Sequence, residues 1–211
     1  MNDLLATLIA QGVGDERLLD AFRAIDRAGF VPAESRDRAA EDVPLPIPHG
    51  QVTTQPSLSA RMIEALALSR DHRVLEIGAG HGFQTALLAS LAGEVWSVER
   101  HAALAETARA NLGRAGIGNA RVVVADGTLG LPEHAPFDAI AVSAAFPRVP
   151  PPLAGQLVAG GRLVQPIGPG GREVVTLFLA GEDGRLRPVG LVTHAHFVPL
   201  VGEHAYDEGA A

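Results

Sequence analysis

From Arg73 onward the chain keeps one alternation, a short apolar run followed by a segment with helical spacing, and few folds satisfy it. Val74-Leu75-Glu76-Ile77 reads as a strand, Gly78-Ala79-Gly80-His81-Gly82 as a turn and Phe83 to Leu91 as a helix. Glu94 to Glu99 is a second strand and His101 to Ala115 an Ala-rich helix. Ala120 to Ala125 is a third strand, closed by Asp126-Gly127, and Phe137 to Ser143 is a fourth. A short helix over Leu153 to Val158 leads through Gly160-Gly161 to a strand at Arg162 to Ile167. Strands joined through helices run parallel with right-handed crossovers, which predicts an α/β, doubly wound sheet. Glu173 to Ala180 and Leu191 to Leu200 are separated by the turn Gly181-Glu182-Asp183-Gly184. A connection that short makes a hairpin, so the edge of this mostly parallel, seven-stranded sheet is expected to be antiparallel.

Ahead of the sheet, residues 2–28 read as helices. Leu4, Leu5, Leu8 and Ile9 recur at helical spacing, as do Leu18, Leu19, Phe22 and Ile25, with Gly12 to Gly14 between the two sets. Phe30-Val31-Pro32 is expected to stop the second helix. Asp42 to Gly50 carries Pro44, Pro46 and Pro48; prolines lock φ and remove donors, so neither a helix nor a central strand fits and a loop is expected. Pro56 to Leu68 reads as a helix with Pro in its first turn.

Composition removes whole chemistries. There is no Cys, and all 17 basic residues are Arg. A thiol nucleophile, disulfide, iron–sulfur cluster or thiolate zinc site is excluded, as are a Schiff base, a pyridoxal phosphate anchor and a Walker-type phosphate loop. A net charge of −7 argues against nucleic acid as partner. The first residues carry no basic leader and no apolar run approaches ~18 residues, so a soluble, cytoplasmic protein with no membrane partner is expected. His194 and His196 are too few to close a metal site, and no metal is expected.

The glycine turn follows a strand and opens a helix, where ligands of doubly wound sheets sit. Glycines allow close backbone approach, and the helix N-terminus offers free N–H donors. Glu99, about 20 residues on, ends the next strand, where a carboxylate can take both hydroxyls of a ribose. Three readings fit the glycines: a tight turn alone, a dinucleotide site, or S-adenosylmethionine. A dinucleotide site prefers G-x-G-x-x-G, and here the third glycine comes one residue early. The G-x-G-x-G turn, the acid closing the second strand and Asp126 closing the third suit S-adenosylmethionine. Glu76 would otherwise be odd inside a buried strand.

Val74 through Ala86 resembles the first methyltransferase motif as written in protein-L-isoaspartate O-methyltransferases. The likeness extends to Asp42-Val43-Pro44-Leu45-Pro46-Ile47 and Gly50-Gln51-Val52-Thr53-Thr54-Gln55-Pro56, similar to that family's substrate-side loop. It continues through Phe137-Asp138-Ala139-Ile140, Ser143-Ala144-Ala145-Phe146-Pro147, Leu157 to Gly168 and Phe197-Val198-Pro199-Leu200. It implies a class I methyltransferase that binds S-adenosylmethionine and methylates the free carboxylate of L-isoaspartyl residues in damaged proteins or peptides. It implies that Gly78, Gly80 and Gly82 line the methionine part, with Glu76 in the same motif, that Glu99 holds the ribose, and that Asp126 with Gly127 serves the adenine side. Thr54 falls where the family usually has an active-site Ser, and Ile47, Gln51, Thr53, Thr54 and Phe197 belong to the acceptor side. On this basis residues 1–211 form a single domain and a monomer: 1–56 the N-terminal helices and substrate-side loop, 57–168 the cofactor-binding core, 169–211 the C-terminal strands.

The sequence departs from the family pattern on the acceptor side. Thr54 adds a methyl and stiffens χ1, Pro48 stands where Gly is common, and Ala40 and Ser57 stand where an aromatic is common. Two alternatives therefore accompany the repair reading: a carboxyl methyltransferase with another acceptor, such as an aspartate in a maturing peptide, and an inactive cofactor-binding relative. A carboxylate acceptor is ionised near neutral pH and needs no general base; positioning by the Thr54 hydroxyl and loop N–H groups is what the chemistry requires.

Overall fold

The computed structural model describes residues 3–169, 171–207 and 209; what was expected of residues 1, 2, 170, 208, 210 and 211, including both ends of the 1–211 division, lies outside the described residues. Two helices open the chain, α1 (Asp3–Ala10) and α2 (Glu16–Ala24). The Asp15 carboxylate accepts from Arg17 N and caps α2. The helix ends before the expected Phe30-Val31-Pro32 stop, because Asp26 caps a new 3₁₀ turn, Arg27–Phe30, by accepting from Ala28 N at 3.0 Å.

The proline-rich stretch is a correction to the expected loop. It forms a two-stranded ribbon of β1 (Leu45–Ile47) and β2 (Gln51–Thr53), with Leu45 opposite Thr53 and Ile47 opposite Gln51. A ribbon has no central strand, so Pro46 is tolerated at an exposed position while Leu45 and Ile47 are buried beside it. At the tip, His49 and Gly50 both have positive φ, 63° and 67°, as mirror-type hairpin turns require. Helix α3 (Pro56–Ala65) follows, shorter than expected at its C-terminal end.

Seven strands then form the main sheet among the described residues: β3 (Arg73–Ile77), β4 (Glu94–Glu99), β5 (Ala120–Val124), β6 (Phe137–Val142), β7 (Leu157–Ile167), β8 (Glu173–Ala180) and β9 (Leu186–Ala195). Their order is β5-β4-β3-β6-β7-β8-β9, parallel from β5 to β7 and antiparallel from β7 to β9. Helices α4 (Phe83–Leu91) and α5 (Ala102–Arg114) connect the first three strands and the short α6 (Pro151–Ala154) precedes β7. Val74 and Glu76 face α4, while Leu75 and Ile77 join the apolar cluster on the opposite side with Ile140, Val142 and Leu163. Buried on almost every side, α4 is mostly apolar, its buried Gln84 and Thr85 turned to Glu76.

Further boundaries differ from expectation: α6 covers Pro151–Ala154 rather than Leu153 to Val158, because the next strand begins at once. Strand β7 starts at Leu157 rather than Arg162, and its ladder to β6 shifts register between Phe137 and Ala139, so Gly160-Gly161 lies within an irregular strand rather than before it. The last strand starts at Leu186 and ends at Ala195, because the tight turn at Gly181–Gly184 begins the ladder at once. Its Pro188, which has no N–H to donate, suits the outer strand of the sheet. Residues 196–201 instead fold back over the end of β6, where Ala145 N donates to the Val198 carbonyl and Leu200 N to the Ala145 carbonyl, both at 2.8 Å.

Candidate active site

The order β4-β3-β6 is a topological switch point, since the chain leaves β3 toward opposite edges of the sheet. A cavity opens there at the carboxyl ends of the strands. Its floor is the turn after β3. Gly78, Gly80 and Gly82 have φ of 95°, 54° and 91°, which only glycine adopts without strain. Gly80 N donates to Glu99 Oε2 and His101 N to Glu99 Oε1, each at 2.9 Å. Backbone donors thus aim the Glu99 carboxylate along the cavity wall. Gly127 lines the same cavity, and a Cβ there would stand 2.4 Å from Ile77 Cγ2. The ribbon forms the roof with Ile47, Gln51, Thr53 and Thr54, and residues 198–201 form the far wall. His49 at the ribbon tip stacks on His101, ring centroids 4.5 Å apart.

Four of the expected residues lie elsewhere. Glu76 does not line the cavity but is fully buried beneath it. Its carboxyl accepts from Thr85 Oγ1 at 2.5 Å, Ser97 Oγ at 2.6 Å and Gln84 Nε2 at 3.1 Å. That network ties β3, β4 and α4 together under the glycine turn, and it accounts for an acid in a buried strand. Burial pushes the Glu76 carboxyl above the ordinary carboxylate range, against these hydrogen bonds. Gly82 stands behind the turn, where its Cα hydrogens face Ala108 of α5. Asp126 lines an adjoining cleft with Val124, Ala125, Glu203 and Tyr206. It accepts from Thr128 N, Thr128 Oγ1 and Glu203 N at 2.7–2.8 Å. Burial opposes its ionisation, but these donors outweigh burial and hold its carboxyl below the ordinary value. Phe197 is buried beside a third cleft, on the far side of the ribbon.

These three clefts form a row. The Asp126 cleft shares Arg100, His101 and Val201 with the central cavity, and the third shares Val52, Thr53, Thr54, Ser143 and Val198 with it. Thr54 therefore stands on the partition between the central cavity and the outer groove. Thr53 Oγ1 accepts from Arg27 Nη2 at 2.9 Å and Leu45 N at 3.1 Å, which uses both its lone pairs and ties the ribbon to Arg27, leaving only its O–H to donate.

Arg27 escaped the sequence reading. It is 4% exposed and donates to the Ala39, Glu41 and Val43 carbonyls at 2.9–3.2 Å as well as to Thr53. Desolvation lowers its pKa to about 10. Asp42 anchors the other flank, accepting from Ser57 N at 2.8 Å at the start of α3 and from Gln55 Nε2 at 2.9 Å. His81 is buried in the cavity wall, where desolvation lowers its pKa. His194 is exposed in β9 and His196 just beyond it, and among the described residues no group of three or more acids and histidines could hold a metal ion.

The cavity accommodates a polar, nucleoside-like ligand. Ser59 Oγ and Gln84 Oε1 are buried in its lining residues with no hydrogen-bond partner among the described residues, a cost that a ligand's polar groups would remove. With the glycine floor and the Glu99 carboxylate, this donor and acceptor set fits S-adenosylmethionine.

A family model described as Protein-L-isoaspartate(D-aspartate) O-methyltransferase (PCMT) matches residues 1–205. A Methanoculleus marisnigri protein named Protein-L-isoaspartate O-methyltransferase is 50% identical over 200 residues, covering 93% of this chain and 89% of its own. A Myxococcus xanthus protein of the same name is 46% identical over 198 residues, 93% of each. A solved structure named protein-L-isoaspartate O-methyltransferase aligns with a TM-score of 0.85 at 31% identity, covering 97% of this chain and 67% of that one. A Plasmodium falciparum structure in complex with S-adenosyl-L-homocysteine shares the fold, with a TM-score of 0.78 at 22% identity over 95% of this chain and 97% of that one.

Proposed function

The chain belongs to the protein-L-isoaspartate(D-aspartate) O-methyltransferase family, and on that footing we propose how its residues divide the reaction. The activity is transfer of a methyl group from S-adenosylmethionine to the free carboxylate of L-isoaspartyl residues in proteins and peptides. When bound, the cofactor supplies an electrophilic methyl on a sulfonium. Gly78 and Gly80 hold its methionine part, with Ser59 and Gln84 able to satisfy the polar end. Glu99 keeps a lone pair on each oxygen beyond those used by Gly80 and His101, which suits two ribose hydroxyls. Gly127 and the Asp126 cleft take the adenine side, where Asp126 Oδ2 keeps a lone pair beyond the bond from Glu203 N.

The acceptor enters from the outer groove beside Gln55, Arg61 and Phe197. Its carboxylate is already ionised, so no base is required. The bound cofactor would supply the methyl for the new O–C bond and keep the electron pair of the broken S–C bond on sulfur, so no residue here has a proton to move. The residues must strip water from the carboxylate and hold it in line, a task worth roughly 7–11 kcal/mol. The observation that carries this assignment is Thr54's place in the lining of both the cavity and the groove. The same reading keeps a single-domain monomer in the cytoplasm, acting on protein or peptide acceptors and not on nucleic acid. Among the described residues no helix is long and apolar enough to cross a membrane.

Matched isoaspartyl and aspartyl peptides with labelled S-adenosylmethionine test the acceptor. Base-labile label is expected on the isoaspartyl peptide alone. Thr54→Val is expected to lower kcat/KM roughly tenfold to a hundredfold, one hydrogen bond to a charged group, whereas Thr54→Ser retains turnover. Full activity in the Val variant would remove Thr54 from the mechanism.

A further inference from the structure

We propose that Ser143 is a second hydroxyl donor to the acceptor carboxylate, opposite Thr54. The inference rests on the methyl-transfer reading of the site. Ser143 ends the run of β6 and, like Thr54, lines both the central cavity and the outer groove. Its position is fixed twice. Ser143 N donates to the Ile77 carbonyl at 2.9 Å, and its Cβ lies 3.5 Å from where a side chain on Gly78 would begin.

The polarity of the hydroxyl is set from below. Gln84 Nε2 donates to Ser143 Oγ at 2.8 Å and to Glu76 Oε1 at 3.1 Å. Both hydrogens of that amide nitrogen are thereby used, and the buried Glu76 oxygen holds the nitrogen, rather than the amide oxygen, toward the carboxyl. Ser143 is consequently the acceptor in its bond with Gln84, and its own O–H remains to be donated. No described residue accepts it, and the open side of the residue is the junction of cavity and groove. A carboxylate arriving there would meet a hydroxyl from each wall, Thr54 beside the ribbon and the pre-aimed Ser143 after β6. Two donors on one carboxylate leave fewer orientations for the attacking oxygen, which is how fixed dipoles help when no proton must move. Thr54 sits beside the ribbon and Ser143 after a strand of the central sheet, so the pair also requires the ribbon to be seated before the carboxylate is held from both sides.

The test compares the wild type with Ser143→Ala and Ser143→Thr on an isoaspartyl peptide and on its carboxamide counterpart as a competing ligand. Ser143→Ala is expected to lose roughly 10- to 100-fold in kcat/KM, to bind S-adenosylhomocysteine within about twofold of wild type by calorimetry, and to lose preference for the carboxylate over the carboxamide peptide. Ser143→Thr is expected to restore turnover. Wild-type turnover with an unimpaired Ser143→Ala overturns this inference alone, as does a parallel loss of cofactor affinity, which would assign Ser143 to the cofactor. A wild type that binds S-adenosylhomocysteine yet methylates no isoaspartyl peptide overturns the acceptor assignment and this inference with it.

Discussion

The two halves of the site are held in place by different physics. The cofactor half is backbone: three glycines with positive φ, two N–H groups on Glu99, and a buried Glu76 network beneath them, all within the first turn after parallel strands. The acceptor half is a ribbon of two three-residue strands that the main sheet does not hydrogen-bond, and it is tethered by side chains, chiefly Arg27 and Asp42. A half built from the sheet moves only if the sheet does. A half built from tethers can be released by one substitution while the rest of the fold stands, so binding and turnover should come apart experimentally.

The largest expected effect is on the cofactor half. Glu99→Ala removes the carboxylate that two ribose hydroxyls would share and should weaken S-adenosylhomocysteine binding by about 4 kcal/mol, close to a thousandfold. An unchanged calorimetric Kd would break the ribose assignment. Next comes the ribbon. Arg27→Met keeps the bulk but strands three carbonyls and Thr53, and should cost about 3 kcal/mol in a urea melt. It should raise KM for the peptide severalfold while leaving cofactor affinity within about threefold. Equal losses on both ligands would mean that the two halves are not separable.

The smallest effect concerns the buried network. Because the folded Glu76 carboxyl titrates above its ordinary value near 4.5, its contribution to stability is full below that pH and declines as pH rises through the raised value. Glu76→Gln removes this titration, so the stability of the variant relative to wild type should increase from pH 4 to pH 8. A difference that stays flat across that range would mean that burial does not dominate at Glu76.

The same contrast explains what the sequence disclosed. The glycine turn and Glu99 were legible because their requirement is local: φ above zero selects glycine, and a strand's end selects the position of the acid. The parallel sheet followed from strand–helix alternation, and its antiparallel edge from one tight turn. The ribbon was not legible, because Pro44, Pro46 and Pro48 argue against a central strand and say nothing against a pair with no centre. A strand-end acid faces the crevice, and Asp126 lines a cleft there, but no local pattern specifies Glu203 N, 77 residues away, as a donor to the same carboxylate. Arg27 was invisible for a related reason: its partners at 39, 41, 43 and 53 belong to a segment whose path no local pattern specifies. Ser143 lacked any signal beyond its place after a strand; only the Gln84 contact, 59 residues away, gives it a direction.

Arg27 also decides how the enzyme meets acid and alkali. Even with its pKa lowered to about 10, only about one molecule in a thousand would carry it uncharged at pH 7. A histidine in that place would loosen the roof whenever the surroundings turned from acidic to neutral, making access to the acceptor groove a proton sensor. A guanidinium keeps the ribbon tethered in one state across that whole range.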